Sequence, residues 1–343
     1  MGTTELTELT ELTELYDALL LDLDGTVWAG DSAIPHAVDA IEAARSAGLA
    51  AAFITNNASK SPDDVAQKLR GIGLDVGSAN VLTSAQAAVA LAGQHAQPGA
   101  AILVVGAPSF VDLVRDAGFE PVFSADDDPS VVLHGHSPDN GWKQLSEAAL
   151  AIQRGAIYIA SNLDSTLPMD RGFMVGNGSM VAAVTHATGV IPEAAGKPGP
   201  AMFDLAASQL GVERPLVVGD RLDTDIAGGV AAGMDTLHVL TGVSGPRALI
   251  DAPAEQRPTF IAKDMSVLLG NGIDPDTLRP GEQGGFTAVR EGGTIILDGG
   301  GDPSTPLQAL RTVLAVAWAD GGEGQIVVKP ASDAARAATQ AWW

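Results

Sequence analysis

The sequence predicts an α/β protein: a doubly wound parallel-sheet core, an inserted α/β domain and a small α/β C-terminal appendage. Three observations predict it. Short apolar runs at 18–21, 50–55 and 215–218 each end abruptly in polar residues, as strands buried on both faces do. Helical spacings alternate with those runs. A second strand–helix alternation, between about 101 and 160, falls between the second and third runs.

Residues 4–15 repeat Thr-Glu-Leu four times. A period of three keeps no apolar face, so 1–15 reads as a disordered or loosely helical lead-in. The first strand, about 17–23, runs into Asp22-Leu23-Asp24-Gly25-Thr26. Residues 28–35 read as a loop placed to cover whatever binds there. A helix over 36–47 has Val38, Ile41 and Ala44 at helical spacing and stops at Gly48. The second strand, 50–55, ends in Thr55-Asn56-Asn57. Ser61 caps the next helix, with Pro62 at its first position. An alanine-rich helix follows over about 83–94.

Gln97-Pro98-Gly99 is a break, and 98–191 reads as the inserted domain. Its strand ends and following loop carry His134, His136, Asn162 and Asp164. Gly196-Lys197-Pro198 leads into a helix over 200–210, and the third strand ends in Gly219-Asp220-Arg221-Leu222-Asp223-Thr224-Asp225. The core therefore comprises 16–97 and 192–270. Residues 271–285, rich in Gly, Pro and Asp, read as a linker. Residues 286–343 read strand, strand, helix, strand, helix.

The chain has 343 residues, 46% of them hydrophobic, enough for one to three domains. Lys+Arg number 19 against 42 Asp+Glu, a net charge of -23, which argues against nucleic-acid and anionic-membrane partners. There is no cysteine, which excludes disulfides and thiolate chemistry. The N-terminus is acidic, and no apolar stretch approaches the ~20 residues of a membrane span. The cytoplasm is the expected location.

One parallel sheet would bring its strand ends to one edge, where ligands bind in such folds. Asp22, Asp24, Asp220 and Asp225 would then face a single Lys197. Such a cluster calls for a cation. With oxygen donors only, Mg²⁺ is the expected ion, held by Asp22, Asp24 and Asp220 with Asp225 in support. Metal, Lys197, Thr55 and Asn56 together would suit a phosphate. Neither a Cys nor a Ser-His-Asp arrangement is evident, so Asp22 is the expected nucleophile, forming an aspartyl-phosphate. Asp24 would protonate the leaving alkoxide and then take a proton from water.

In this order, Asp-Leu-Asp-Gly-Thr-Val at 22–27, a strand ending in Thr55, Lys197, and Gly-Asp-x-x-x-Thr-Asp at 219–225 resemble the four motifs of the haloacid-dehalogenase-like phosphatases. The insert resembles the α/β cap of their NagD-like (p-nitrophenylphosphatase) branch. The stretch 161–173 is similar to that of glycerol-3-phosphate and phosphoglycolate phosphatases. The resemblance covers about 16–269. It implies Mg²⁺, an aspartyl-phosphate and a cap that selects a small phosphorylated metabolite. The Thr-Glu-Leu repeat and everything after Gly270 lie outside it. The strand order of the tail resembles part of an acetyltransferase-like or small regulatory fold, without a Gly-rich acetyl-CoA loop flanked by basic residues.

The expected activity is Mg²⁺-dependent hydrolysis of a small phosphate ester, glycerol 3-phosphate first. Phosphoglycolate, or a broad range that includes aryl phosphates, is the alternative. A non-catalytic binding or regulatory protein on the same fold is the rival of a different class. Asn162 and Asp164 on the cap loop, with His134, are the candidate substrate contacts. For His134 and His136 a purely structural place at a strand end is an equal reading. A homo-oligomer through the cap or the C-terminal module is left open.

Overall fold

A computed structural model describes residues 11–169, 171–270, 272–319 and 326–342. Residues 4–10 of the repeat, Asp170 of the cap loop, Gln325 at the head of the last expected strand and Trp343 lie outside the described residues. The chain forms two compact units, Met1–Ala51 with Leu210–Trp343, and Ala52–Gln209.

The first unit is built on parallel strands in the order Phe260–Ala262, Asp235–Val239, Pro215–Gly219, Ala18–Leu21. Ala18–Leu21 is buried at every position and pairs in register with its neighbour, Ala18 opposite Pro215 and Leu21 opposite Val218. Burial on both faces explains the unbroken apolar run. It also leaves Asp22 and Asp220 one step beyond paired ends. The end of the repeat is ordered: Leu12–Leu15 is a single helical turn that buries Leu12 and Thr13. Residues expected as a covering loop contain a small antiparallel ribbon, Trp28–Ala29 against Ser32–Ala33. Two-residue strands are too short for an alternation pattern to reveal.

The stretch expected as a linker holds a 3-10 turn at Pro275–Leu278 with Leu278 buried. Arg279 places its guanidinium 4.4 Å from the Phe260 ring centre. The strands Phe286–Glu291 and Thr294–Gly299 form a hairpin, and Val327–Pro330 joins it in parallel. The helix Pro306–Ala319 supplies Leu310, Val313 and Leu314 to an apolar cluster that also holds Leu222, Ile226, Leu249 and Ile261. Tail and strand core of this unit therefore share one interior. Buried Arg311 donates to the Ile261 carbonyl, and burial lowers its pKa to about 10. Trp318 Nε1 donates to the Leu249 carbonyl at 3.0 Å.

The second unit pairs the strand that begins at Ala50, Ala50–Thr55, with Val81–Thr83 in parallel. Its larger sheet runs Glu193–Ala194, Ile157–Ala160, Val131–His134, Ala101–Val105, Glu120–Val122, parallel throughout. Leu103, Val132, Ile152, Tyr158 and Val181 lie in its own apolar cluster. Thr166–Met169 and Gly172–Val175 form an antiparallel hairpin where the sequence suggested a plain cap loop. Gly172, with φ +117°, stands at its turn. No described helix is long and apolar enough to cross a membrane.

Candidate active site

In the first unit, the parallel register that ends at Leu21 and Val218 brings Asp22 beside Asp220, and the Asp22 N–H donates to the Val218 carbonyl at 2.9 Å. The turn Leu222–Ile226 returns Asp225 to the same edge. Carboxylate oxygens of Asp22, Asp220 and Asp225 lie within 4.8 Å of one another. Asp220 and Asp225 are buried and Asp22 is partly exposed. Asp220 accepts from the Val243 N–H at 2.6 Å and from the Thr26 hydroxyl at 3.4 Å. Asp225 accepts from the Arg221 N–H at 3.1 Å. Gly25 adopts φ +93°, and a Cβ there would stand 2.6 Å from the Asp220 carboxyl carbon. The glycine is thus required both by conformation and by close approach.

Three like charges this close cost energy unless a cation is among them. The donors are all hard oxygens, which fit Mg²⁺. Among the described residues the acidic group contains Asp225, read from sequence as support, and does not contain Asp24. The Asp24 carboxylate is exposed and accepts from the Trp28 indole N–H at 2.8 Å.

The other candidates lie in the second unit. Thr55 and Lys197 are buried, and the Thr55 hydroxyl accepts from the Asn57 N–H at 3.1 Å. Lys197 Nζ donates to the Ile54 carbonyl at 3.3 Å. Asn56 is a hub. Its Oδ1 accepts from the Lys197 N–H at 2.8 Å, while its Nδ2 donates to the Lys197 carbonyl at 3.1 Å and to both Asp164 carboxylate oxygens at 3.3 Å. Its main-chain carbonyl accepts from the Ser84 hydroxyl and from Asn162 Nδ2, each at 2.7 Å. Thr55, Asn56, Lys197, Asn162 and Asp164 therefore cluster as a set. The Asn56 side chain is occupied with backbone and carboxylate.

His134 is not part of that set. It is fully buried, its Nδ1 lies 2.8 Å from the Tyr158 hydroxyl, and burial lowers its pKa to about 4. This corrects its reading as a substrate contact: a side chain shut into the interior presents nothing to a ligand. His136 is partly buried, which also lowers its pKa. Sequence reasoning placed Thr26 in the motif and Trp28 in the covering loop without a role for either side chain, and it missed Ser84. Trp28 stands four residues after Asp24, a spacing that could have drawn attention to it. Ser84 had no signal short of the fold.

This fold, with a carboxylate group at its parallel strand ends, defines a hydrolase of a known kind. The chain belongs to the haloacid dehalogenase-like hydrolases: residues 19–120 match that family's model and 194–268 match the model described as HAD-hydrolase-like. Within the family it belongs to the NagD-like branch. Residues 283–342 match a GCN5-related N-acetyltransferase like domain. The chain is 40% identical to the D-glycerol 3-phosphate phosphatase of Mycobacterium tuberculosis, over 95% of this chain and 94% of that protein. It is 35% identical to an acid sugar phosphatase of Staphylococcus aureus, over 73% of this chain and 96% of that one. Among solved structures, the M. tuberculosis glycerol phosphate phosphatase in complex with magnesium superposes with a TM-score of 0.91 at 39% identity, covering 97% of this chain and 99% of that one. A 4-nitrophenylphosphatase from Thermotoga maritima superposes with a TM-score of 0.70 at 29% identity, covering 77% and 100%.

Proposed function

We propose that this protein is a Mg²⁺-dependent phosphomonoesterase that hydrolyses glycerol 3-phosphate in the cytoplasm. The observation that carries the reading is the Asp22, Asp220 and Asp225 group at paired parallel strand ends. The likeness to the M. tuberculosis phosphatase along nearly the whole chain supports the substrate. Asp22, Asp220 and Asp225 would hold the metal, which would supply positive charge to the phosphoryl group and to the carboxylates around it.

Asp22 attacks phosphorus. An Asp22 carboxylate O–P bond forms as the ester P–O bond breaks, and Asp24 gives its proton to the departing glycerol oxygen. Asp24 then takes a proton from water, whose oxygen attacks phosphorus and releases phosphate and free Asp22. Lys197 and Thr55 bind phosphoryl oxygens, and Asn56 sets the Lys197 backbone. Asn162 and Asp164 belong to the part that selects the glycerol moiety. The test is phosphate release from glycerol phosphates, phosphoglycolate, sugar phosphates and p-nitrophenyl phosphate, with Mg²⁺ and with chelator. Chelator-sensitive release, fastest from glycerol 3-phosphate, is expected. A higher kcat/KM on phosphoglycolate would transfer the assignment to that ester, and no release from any ester would remove it.

A further inference from the structure

Trp28 is buried, with 4% of its surface exposed, while the carboxylate of Asp24 is exposed. Between them runs the indole hydrogen bond to Asp24 Oδ1, 2.8 Å long. The backbone closes the same loop. The Gly25 N–H donates to the Trp28 carbonyl at 2.8 Å, and the Trp28 N–H donates to the Leu23 carbonyl at 3.0 Å. Trp28 is fixed from its other side by pairing with Ala33. A packed ring on a ribbon closed this way has little freedom to follow the carboxylate. The carboxylate must instead turn to meet it.

We propose that Trp28 is a positioning residue for proton transfer by Asp24. An indole N–H donates and never accepts. Oδ1 therefore faces the ring as an acceptor, and the proton that Asp24 passes to a leaving group, or takes from water, is carried on Oδ2. The hydrogen bond selects which oxygen does the chemistry and holds it at one rotation. This rests on the reading of Asp24 as the acid/base, and the experiment separates the two.

The test compares Trp28→Phe, Asp24→Asn and the double variant on glycerol 3-phosphate and on p-nitrophenyl phosphate, with release of the glycerol or nitrophenolate leaving group followed within the first turnover. The alkoxide needs the proton and the nitrophenolate does not. Trp28→Phe is expected to slow the alkyl ester about 10-fold, the size of one misdirected hydrogen bond at a reacting group, and the aryl ester less than about 2-fold. In the Asp24→Asn background the same change is expected to add nothing. Replacement of Trp28 by benzothienylalanine keeps the bicyclic shape without the N–H and should match Trp28→Phe. Equal losses on both esters, a further loss in the Asp24→Asn background, or wild-type rates with benzothienylalanine would each overturn the proposal. If Asp24→Asn itself affects the two esters equally, the acid/base reading of Asp24 fails, and the proposal with it.

Discussion

The two units solve opposite electrostatic problems at their strand ends. The first gathers the like charges of Asp22, Asp220 and Asp225 within 4.8 Å, beside N–H donors at Val243 and Arg221 and the Thr26 hydroxyl. The second arranges Asn56, Asn162, Asp164 and Lys197 so that amides and backbone groups satisfy one another. The first is a set of hard oxygen donors suited to an added cation. The second is a framework finished by its own chain. Loss of metal should therefore be felt in the first unit, and loss of a single amide in the second.

Asp220→Asn should have the largest effect of the changes that probe this contrast. It removes one of the three charges that would hold Mg²⁺. Turnover is expected to fall about 1000-fold or more. Mg²⁺ should raise the melting temperature of the wild type and leave that of the variant unchanged, each measured against its own metal-free form. A Mg²⁺-induced shift that survives in Asp220→Asn, measured by calorimetry, would place the ion elsewhere.

The interiors differ as well. In the first unit Leu222 and Ile226, which flank the turn bearing Asp225, share an apolar cluster with Leu310, Val313 and Leu314 of the tail. Leu314→Ala, at a fully buried position, should cost about 2–5 kcal/mol. Hydrogen exchange should then quicken in the first unit and not around the Leu103 and Val132 cluster of the second. Uniform quickening would mean that the units unfold together.

Asn56→Ala should be milder. It leaves the Lys197 N–H and the Asp164 carboxylate without that partner, a loss of about 1–3 kcal/mol. It is expected to lower kcat/KM by about 10- to 100-fold, because Lys197 is no longer set from its backbone. If steady-state kinetics are unchanged, the hub has no catalytic role.

The smallest effect is one of pH. Each unit buries a histidine whose pKa burial lowers to about 4, His238 in the first and His134 in the second. A neutral folded histidine and a protonatable unfolded one mean that the unfolded chain binds more protons below pH ~6.5. The stabilisation is fully present above that pH and is lost as pH falls toward about 4. The slope approaches about 1.4 kcal/mol per pH unit for each group. Between pH 7 and 5, His134→Gln should lose about 2 kcal/mol less stability than the wild type in urea titrations. Equal losses would mean that His134 titrates alike in both states.

Much of this was legible before any fold was known. Asp22, Asp24, Asp220 and Lys197 stand in ordered motifs whose residue types already imply their chemistry, and buried parallel strands leave unbroken apolar runs. What escaped depends on contacts distant in sequence. The saturation of Asn56 by Lys197, 141 residues away, leaves no local pattern. Neither does the absence of the Asp24 carboxylate from the group that Asp22, Asp220 and Asp225 form, since its partner is the Trp28 indole. His134 looked like any polar strand end, and only the packing around it shows that it faces inward. The hairpin at Thr166–Met169 and Gly172–Val175 was masked by its Gly, Pro and Met content, which reads as loop.

On the proposed mechanism Asp22 becomes covalently phosphorylated. Enzyme mixed with Mg²⁺ and ³²P-labelled glycerol 3-phosphate, quenched in acid within the first turnover and digested, tests it directly. Hydroxylamine-labile label is expected on the peptide carrying Asp22 and none in Asp22→Asn, which should keep the wild-type fold. Label on another peptide, or Asp22→Asn protein that still turns over at a substantial rate, would contradict it.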